Sequence, residues 1–148
     1  MSEKQKVLFV DDEPMFARAY VEALEKNFDV IYRTNVQDGM IAIRTLPDLR
    51  LLVLDIMMPP PEEVPEEEVE GGLGTGVFML KQIKSRVISK NRPLPVVILT
   101  NRRPDVVEQA VRNQGFTEDF VSIRQKNDTP AFFLPRLVTQ SIQRWYPE

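Results

Sequence analysis

Three short apolar runs along the chain each lead straight into a polar residue. The runs are Val7–Val10, Leu51–Leu54 and Val96–Leu99, followed by Asp11, Asp55 and Thr100. Continuous apolar stretches of this length are typical of strands buried on both faces, as in a parallel sheet. We therefore predict three central strands whose carboxyl ends carry polar side chains.

Two further strands are predicted at Phe28–Arg33, which is more polar, and at Phe120–Arg124. Residues at helical spacing predict helices in the intervals between the strands. Their starts are Pro14, Asn35, Val77 and Asp105, with a last helix that starts at Pro130 or Pro135. Strands that alternate with helices predict an α/β fold, a doubly wound five-stranded parallel sheet in a single domain.

Three of these helices carry specific expectations. The first is expected to present one apolar face, made by Phe16, Ala17, Tyr20, Val21 and Leu24. The third is expected to run without interruption from Val77 to Val87, and the last to face inward through Leu137, Val138, Ile142 and Trp145. In doubly wound sheets the functional site lies at the carboxyl ends of the strands. Asp11, Asp12, Asp55, Thr100 and a residue after Ile123 all fall there.

Length and composition agree with one domain. The chain has 148 residues, of which 43% are hydrophobic, enough for one core. The stretch at about residues 60–75 departs from this composition, because it is rich in proline, glutamate and glycine. We interpret residues 1–148 as one domain with an acidic loop insertion at about 60–75.

Several functional classes are excluded by composition. There is no cysteine and no histidine, which rules out thiolate metal sites and catalysis by Ser-His or Cys-His pairs. The net charge of −3 gives no general attraction for nucleic acid. No signal peptide and no apolar run of membrane-spanning length is found. We expect a cytoplasmic protein without nucleic-acid or membrane partners.

The acids that follow the first and third strands point to metal and phosphoryl chemistry. Crowded carboxylates repel one another, and a hard cation such as Mg²⁺ resolves that repulsion with oxygen ligands. An aspartate beside the ion can act as a nucleophile toward a phosphoryl group, and a lysine and a hydroxyl can hold its oxygens. Thr100 and Lys126 are candidates for these two roles. The alternatives are a simple helix cap at residues 11–13 and a solvated lysine at position 126.

Taken together, four segments resemble the signatures of response-regulator receiver domains of two-component signalling. They are Val10-Asp11-Asp12-Glu13, Leu54-Asp55-Ile56-Met57-Met58-Pro59, Ile98-Leu99-Thr100 and Lys126. The resemblance implies a flavodoxin-like fold and a phosphoryl group accepted on Asp55 from a sensor histidine kinase or phosphotransfer protein. It implies that Asp12, Asp55 and the Met57 carbonyl ligate Mg²⁺, with Asp11 acting mostly through bound water. Thr100 and Lys126 would hold the new phosphate.

The chain departs from the family pattern in four places. The acidic insertion precedes Gly76, which resembles the glycine that opens the third helix of the family. Lys126 is not followed by proline, and Arg124 is a rival for the phosphate-pairing role. The position at which the family carries its switch aromatic falls on Ile123, by its spacing from Lys126, or on Phe120, by its spacing from Gly115. Asn101 stands where a small residue usually follows the threonine.

Three hypotheses follow. The first is a stand-alone phosphoacceptor without an output domain, since the chain ends soon after the last predicted helix; it would signal through an unknown partner protein or a homodimer. The second is a degenerate receiver that binds partners without being phosphorylated. The third is a Mg²⁺-dependent phosphatase with an aspartyl nucleophile. Such enzymes carry a second acid two residues after the nucleophile, and Met57 in that place argues against an enzyme.

Overall fold

The computed structural model describes residues 4–56, 73–101 and 104–147. In this part of the chain, strands and α-helices follow one another in the predicted order, with two helices between the third and fourth strands. They are β1 (Lys6–Val10), α1 (Pro14–Glu25), β2 (Asp29–Arg33), α2 (Val36–Thr45), β3 (Leu49–Asp55), α3 (Leu73–Gln82), α4 (Lys84–Val87), β4 (Val96–Thr100), α5 (Pro104–Asn113), β5 (Val121–Gln125) and α6 (Leu134–Trp145). Two 3₁₀ turns, at Lys126–Asp128 and Ala131–Phe133, connect β5 to α6.

The five strands form one parallel sheet in the order β2-β1-β3-β4-β5. This arrangement confirms the predicted flavodoxin-like, doubly wound fold in a single domain. The apolar runs of β1, β3 and β4 occupy the three central places and are buried on both faces. Among the strands that the structure describes, β2 and β5 lie at the two edges and contain more exposed residues, as expected for strands covered less completely.

Each face of the sheet has its own apolar core. One core joins the strands to α2, α3, α4 and α5, and the other joins them to α1 and α6. Successive strand residues point to opposite faces, so Leu8 and Val10 belong to the first core, whereas Val7 and Phe9 belong to the second. The strands are thereby held from both sides, and their carboxyl ends are fixed relative to one another.

The helix boundaries follow local signals. Asn35 caps α2, because its side chain accepts a hydrogen bond from the Asp38 amide. Proline stands in the first turn of α1 and of α6, where its missing N–H leaves no helical bond unmade. The last helix starts at Leu134, so Pro135 rather than Pro130 marks its beginning.

Three expectations about the helices are wrong. The third helix is not continuous to Val87, because it ends at Gln82 and a separate short helix follows after Ile83. Phe16 does not join the apolar face of α1, since its side chain is 61% exposed. Trp145 is half-buried rather than part of the core, and its ring stacks on Phe120.

None of the helices that the structure describes is both long and apolar enough to cross a lipid bilayer. Most of the acidic segment predicted as a loop at about 60–75 lies outside the described residues. Its end differs from the prediction, because residues 73–75 belong to α3.

Candidate functional site

The register of the sheet brings the predicted polar residues to one edge. Val10 pairs with Leu54, so the residues that follow them, Asp11 and Asp55, emerge side by side from β1 and β3. Asp55 pairs in turn with Leu99, which places Thr100 one residue further along β4. Thr100 pairs with Gln125, and Lys126 comes next in the chain. Four adjacent strand ends thus supply one site.

Asp11, Asp12 and Asp55 form a compact carboxylate cluster at this edge. Each offers one oxygen, and these oxygens lie within 4.8 Å of one another. Asp11 is 2% exposed and Asp55 is 3% exposed, whereas Asp12 is half-buried. Three like charges in so small a volume are unfavourable without cations, so the cluster could hold a metal ion.

Asp12 gives a separate indication that the cluster fits a metal. Its Oδ1 atom is buried and makes no hydrogen bond. A carboxylate oxygen that is buried without a hydrogen-bond donor has lost its hydration and gained no interaction that compensates for the loss. All three side chains offer oxygen atoms, which suits a hard cation rather than a soft one. The residues present therefore fit a divalent ion with oxygen ligands.

Lys126 provides a cation from the protein itself. Its Nζ lies 3.5 Å from Asp11 Oδ2 and 3.8 Å from Asp55 Oδ2, and its side chain is only 10% exposed. Arg124, the rival for this place, is exposed on the edge strand β5. The structure brings Lys126 to the carboxylates and does not bring Arg124 there. Three carboxylates and one lysine leave this cluster with a net negative charge, which again favours a metal.

Two hydrogen bonds fix Asp11, one to its carboxylate and one to its backbone carbonyl. The Glu13 amide donates a hydrogen bond of 2.8 Å to Asp11 Oδ1, and the Tyr32 hydroxyl donates one of 2.7 Å to the Asp11 carbonyl. Burial raises the pKa of Tyr32, and the negative charges of Asp11, Asp12 and Asp55 raise it further. Tyr32 therefore keeps its proton and remains a donor at neutral pH.

Tyr20 also reaches the site, and nothing in the sequence analysis gave it a functional role. Its hydroxyl donates a hydrogen bond of 2.7 Å to the Thr129 carbonyl and lies 3.4 Å from the Lys126 carbonyl. One sequence signal could have indicated a contact of this kind. A tyrosine on the buried face of an amphipathic helix needs a partner for its hydroxyl.

The remaining candidates are placed as follows. Thr100 is fully buried at the end of β4, while Asn101 beside it is exposed. Ile123 lies on β5 opposite Ile98, three residues before Lys126. Phe120 precedes β5 at the amino edge of the sheet and stacks on Trp145, so it is remote from the carboxylates. Met57 lies outside the described residues.

Comparison of the sequence with protein-family models finds no matching model, and comparison with curated proteins finds no significant match. The fold, in contrast, matches solved structures over nearly the whole chain. A CheY-like response regulator receiver domain protein from Methanospirillum hungatei JF-1 aligns with a TM-score of 0.68 and 15% identity, over 96% of this chain and 97% of that one.

Two other receiver domains align as well. That of the response regulator NarL from Mycobacterium tuberculosis gives a TM-score of 0.70 at 17% identity, over 96% of this chain and 98% of that one. That of RcsB from Salmonella enterica, determined with the phosphomimetic BeF3⁻, gives 0.65 at 19% identity, over 97% and 99%. The chain therefore has the fold of response-regulator receiver domains, in agreement with the resemblance of its sequence motifs.

Proposed function

We propose that this protein is a phosphoacceptor switch of the receiver type. Asp55 would accept a phosphoryl group from a phosphohistidine of a sensor histidine kinase or phosphotransfer protein, with Mg²⁺ bound beside it. One observation carries the proposal: Asp11, Asp12 and Asp55 bring carboxylate oxygens within 4.8 Å of one another, with the Lys126 ammonium 3.8 Å from Asp55.

Asp55 is the acceptor in this proposal because of its place in the sheet. It ends the central strand β3, between Asp11, which follows β1, and Thr100, which ends β4. A carboxylate oxygen of Asp55 would form a bond to phosphorus while the bond from phosphorus to the histidine nitrogen breaks. The electron pair of that bond returns to the imidazole, which leaves with the donor protein. The 148 residues contain no histidine, so they do not themselves supply the donor imidazole.

Asp11, Asp12 and Asp55 would hold the Mg²⁺ ion, and the unpartnered Oδ1 of Asp12 is available to it. When bound, Mg²⁺ supplies positive charge that offsets the charge of the transferring phosphoryl group. The Met57 carbonyl, a ligand implied by the family resemblance, stays a prediction.

Lys126 and Thr100 would bind the phosphoryl group once it is on Asp55. The Lys126 ammonium already contacts Asp55, so phosphoryl oxygens attached to that carboxylate would enter its reach. The Thr100 hydroxyl belongs to the adjacent strand end and would donate a hydrogen bond to the same group. Both residues act on the phosphorylated state, and both roles are open to test by substitution.

The phosphodonor protein would bind beside the carboxylates. Met15 and Phe16, 88% and 61% exposed, lie in the first turn of α1, and Phe132, 82% exposed, lies in the second 3₁₀ turn. The Phe16 ring centre lies 6.0 Å from the Lys126 ammonium, and the turn that holds Phe132 packs against α1. Exposed apolar groups next to a reactive site favour a protein partner. In this proposal the protein is cytoplasmic and signals by binding a partner protein, not by catalysing the turnover of a separate substrate.

The test is incubation with Mg²⁺ and acetyl phosphate, followed by intact-mass measurement. We expect the wild-type chain to gain the mass of one phosphoryl group. Asp55→Asn should gain none, whereas Asp48→Asn, at the opposite edge of the sheet, should behave as wild type. No gain by the wild-type chain with acetyl phosphate or other small phosphodonors overturns the proposal.

A second candidate is a degenerate receiver that acts as an interaction module without phosphorylation. It is favoured by Ile123, an aliphatic residue three positions before Lys126, and by Asn127 in place of a proline. The two candidates differ in their response to beryllofluoride with Mg²⁺. A phosphoacceptor should show shifted amide resonances near Thr100, whereas a degenerate module should show none.

A further inference from the structure

We propose that Tyr20 is a positioning residue for Lys126, acting through the backbone of the turn that follows β5. The inference rests on the proposed function, since it assigns Tyr20 a part in phosphoryl transfer to Asp55. Tyr20 itself touches neither the carboxylates nor the phosphoryl group; it would act by fixing where the Lys126 ammonium stands.

The contacts of the Tyr20 hydroxyl tie both ends of one turn to α1. The hydroxyl donates to the Thr129 carbonyl at 2.7 Å and lies 3.4 Å from the Lys126 carbonyl. Within the turn, the Thr129 amide donates to the Lys126 carbonyl at 3.3 Å. A single hydroxyl on α1 thus reaches the first residue of the turn and the residue that closes it.

Tyr20 is itself held in place by the core. Its ring centre lies 6.3 Å from that of Phe9, and Phe9 is 1% exposed on β1, two residues before Asp11. Burial is the main cause that raises the pKa of Tyr20, and the nearby Lys126 charge lowers it by less. The hydroxyl therefore keeps its proton, which matters because a backbone carbonyl can only accept a hydrogen bond.

The Tyr20 hydroxyl adds a constraint from outside to a turn that is partly exposed. Asn127 and Asp128 are exposed, and Asn127 has none of the φ restriction that a proline would impose. A lysine side chain has several free torsions, so its ammonium is placed well only if its backbone is fixed. The Tyr20 hydroxyl supplies that constraint from a rigid helix, and Lys126 then reaches both Asp11 and Asp55.

The experiment compares Tyr20→Phe with Tyr146→Phe in the full chain. Each change removes one hydroxyl and keeps the ring. Tyr146 is the matched control, because its hydroxyl donates to the Pro93 carbonyl at the opposite edge of the sheet. The measurements are the rate of phosphoryl uptake from acetyl phosphate, the affinity for Mg²⁺, and amide hydrogen exchange at Thr129.

We expect Tyr20→Phe to slow phosphoryl uptake by about two- to tenfold, the range that one hydrogen bond supports. Its affinity for Mg²⁺ should stay within about twofold of wild type, since the three aspartates are unchanged. The Thr129 amide should exchange faster in Tyr20→Phe only. Tyr146→Phe should match wild type in all three measurements. A merely structural role for Tyr20 would leave uptake unchanged, as in the control.

Two results would overturn the inference. One is unchanged exchange at Thr129 in Tyr20→Phe, which would mean that the hydroxyl does not hold the turn. The other is faster exchange with unchanged uptake, which would mean that the held turn does not matter for the transfer. If the wild-type chain takes up no phosphoryl group, the proposed function fails, and the exchange measurement alone decides whether Tyr20 holds the turn.

Discussion

Replacement of Gly76 by alanine should destabilise the protein, although alanine is the better helix former. Gly76 lies within α3, close to the residue that follows Asp55. A Cβ atom at Gly76 would overlap Ile56 Cδ1 and would lie 2.8 Å from Ile56 Cα. Ile56 is fully buried, and a Cα atom cannot be moved aside by a side-chain rotation. The helix and the end of β3 would have to separate.

The expected size follows from two opposing contributions. Alanine in a helix interior is favoured over glycine by about 1 kcal/mol. Overpacking of a filled core costs about 1–3 kcal/mol, and a clash with backbone belongs at the upper end, about 3 kcal/mol. The net loss in the free energy of unfolding is therefore about 2 kcal/mol, which for a chain of this size lowers the melting temperature by about 4–8 °C.

Gly39→Ala in α2 is the matched control. Its Cβ would lie 2.9 Å from Val10 Cγ2 and 3.1 Å from Met79 Cε, and both atoms belong to side chains. Met79 presents the far end of a flexible side chain, which can shift with little loss, whereas the nearer Val10 is buried and β-branched and gives less easily. We expect Gly39→Ala to lose about 1 kcal/mol less than Gly76→Ala, because both of its neighbours are side-chain atoms.

Urea unfolding followed by circular dichroism measures both variants against wild type. A Gly76→Ala variant as stable as wild type, or more stable, would refute the steric reasoning. Equal losses in the two variants would refute it as well, because the difference between backbone and side-chain neighbours is what separates them.

Three further predictions concern the metal, the pH dependence and a helix cap. Mg²⁺ at a hundredfold excess over its Kd should stabilise the wild type by about 2.7 kcal/mol, measured by thermal unfolding. Asp12→Asn should lose this gain, whereas Asp29→Asn, which changes an exposed aspartate outside the cluster, should keep it. Burial raises the pKa of Tyr20 and of Tyr32 above 10.0, so the stability that these residues contribute is full below pH 10.0 and falls as the pH rises through the raised pKa. In urea unfolding at a series of pH values, the variant with both tyrosines replaced by phenylalanine should lose less stability at alkaline pH than wild type. An equal loss in the two proteins would contradict this. Asn35→Ala should lower the free energy of unfolding by about 1 kcal/mol in urea unfolding, because the Asp38 amide loses its acceptor, whereas Asn35→Ser should keep the cap.

Much of the fold and of the carboxylate cluster could be predicted because the signals are local. Apolar runs define β1, β3 and β4, and a parallel sheet brings their carboxyl ends together whatever the loops do. Asp11, Asp55 and Thr100 follow those runs directly, so their convergence required only the strand order. The structure agrees on each of these placements. Lys126, which apolar periodicity does not single out, also reaches the cluster.

The features that escaped prediction depend on contacts between distant parts of the chain. Phe16 has the spacing of a core residue, yet its place in the first turn of α1 leaves it beyond the second core and exposed. The break at Ile83 separates α3 from α4 although apolar periodicity runs through it. Tyr20 bonds to Thr129, a partner whose nearness no local pattern encodes. Periodicity reports which face is apolar, not which hydroxyl meets which carbonyl.

Because Trp145 stacks on Phe120, tryptophan fluorescence can be used to follow the folding of this protein. Trp145 is the chain's single tryptophan; its ring lies 4.3 Å from that of Phe120, and its indole N–H donates to the Asp119 carbonyl. Because it sits at the amino edge of the sheet, its emission reports loss of the native packing between β5 and α6 with little direct influence from the charges at the other edge. Fluorescence can therefore distinguish variants that unfold the chain from variants that leave it folded but unable to take up a phosphoryl group.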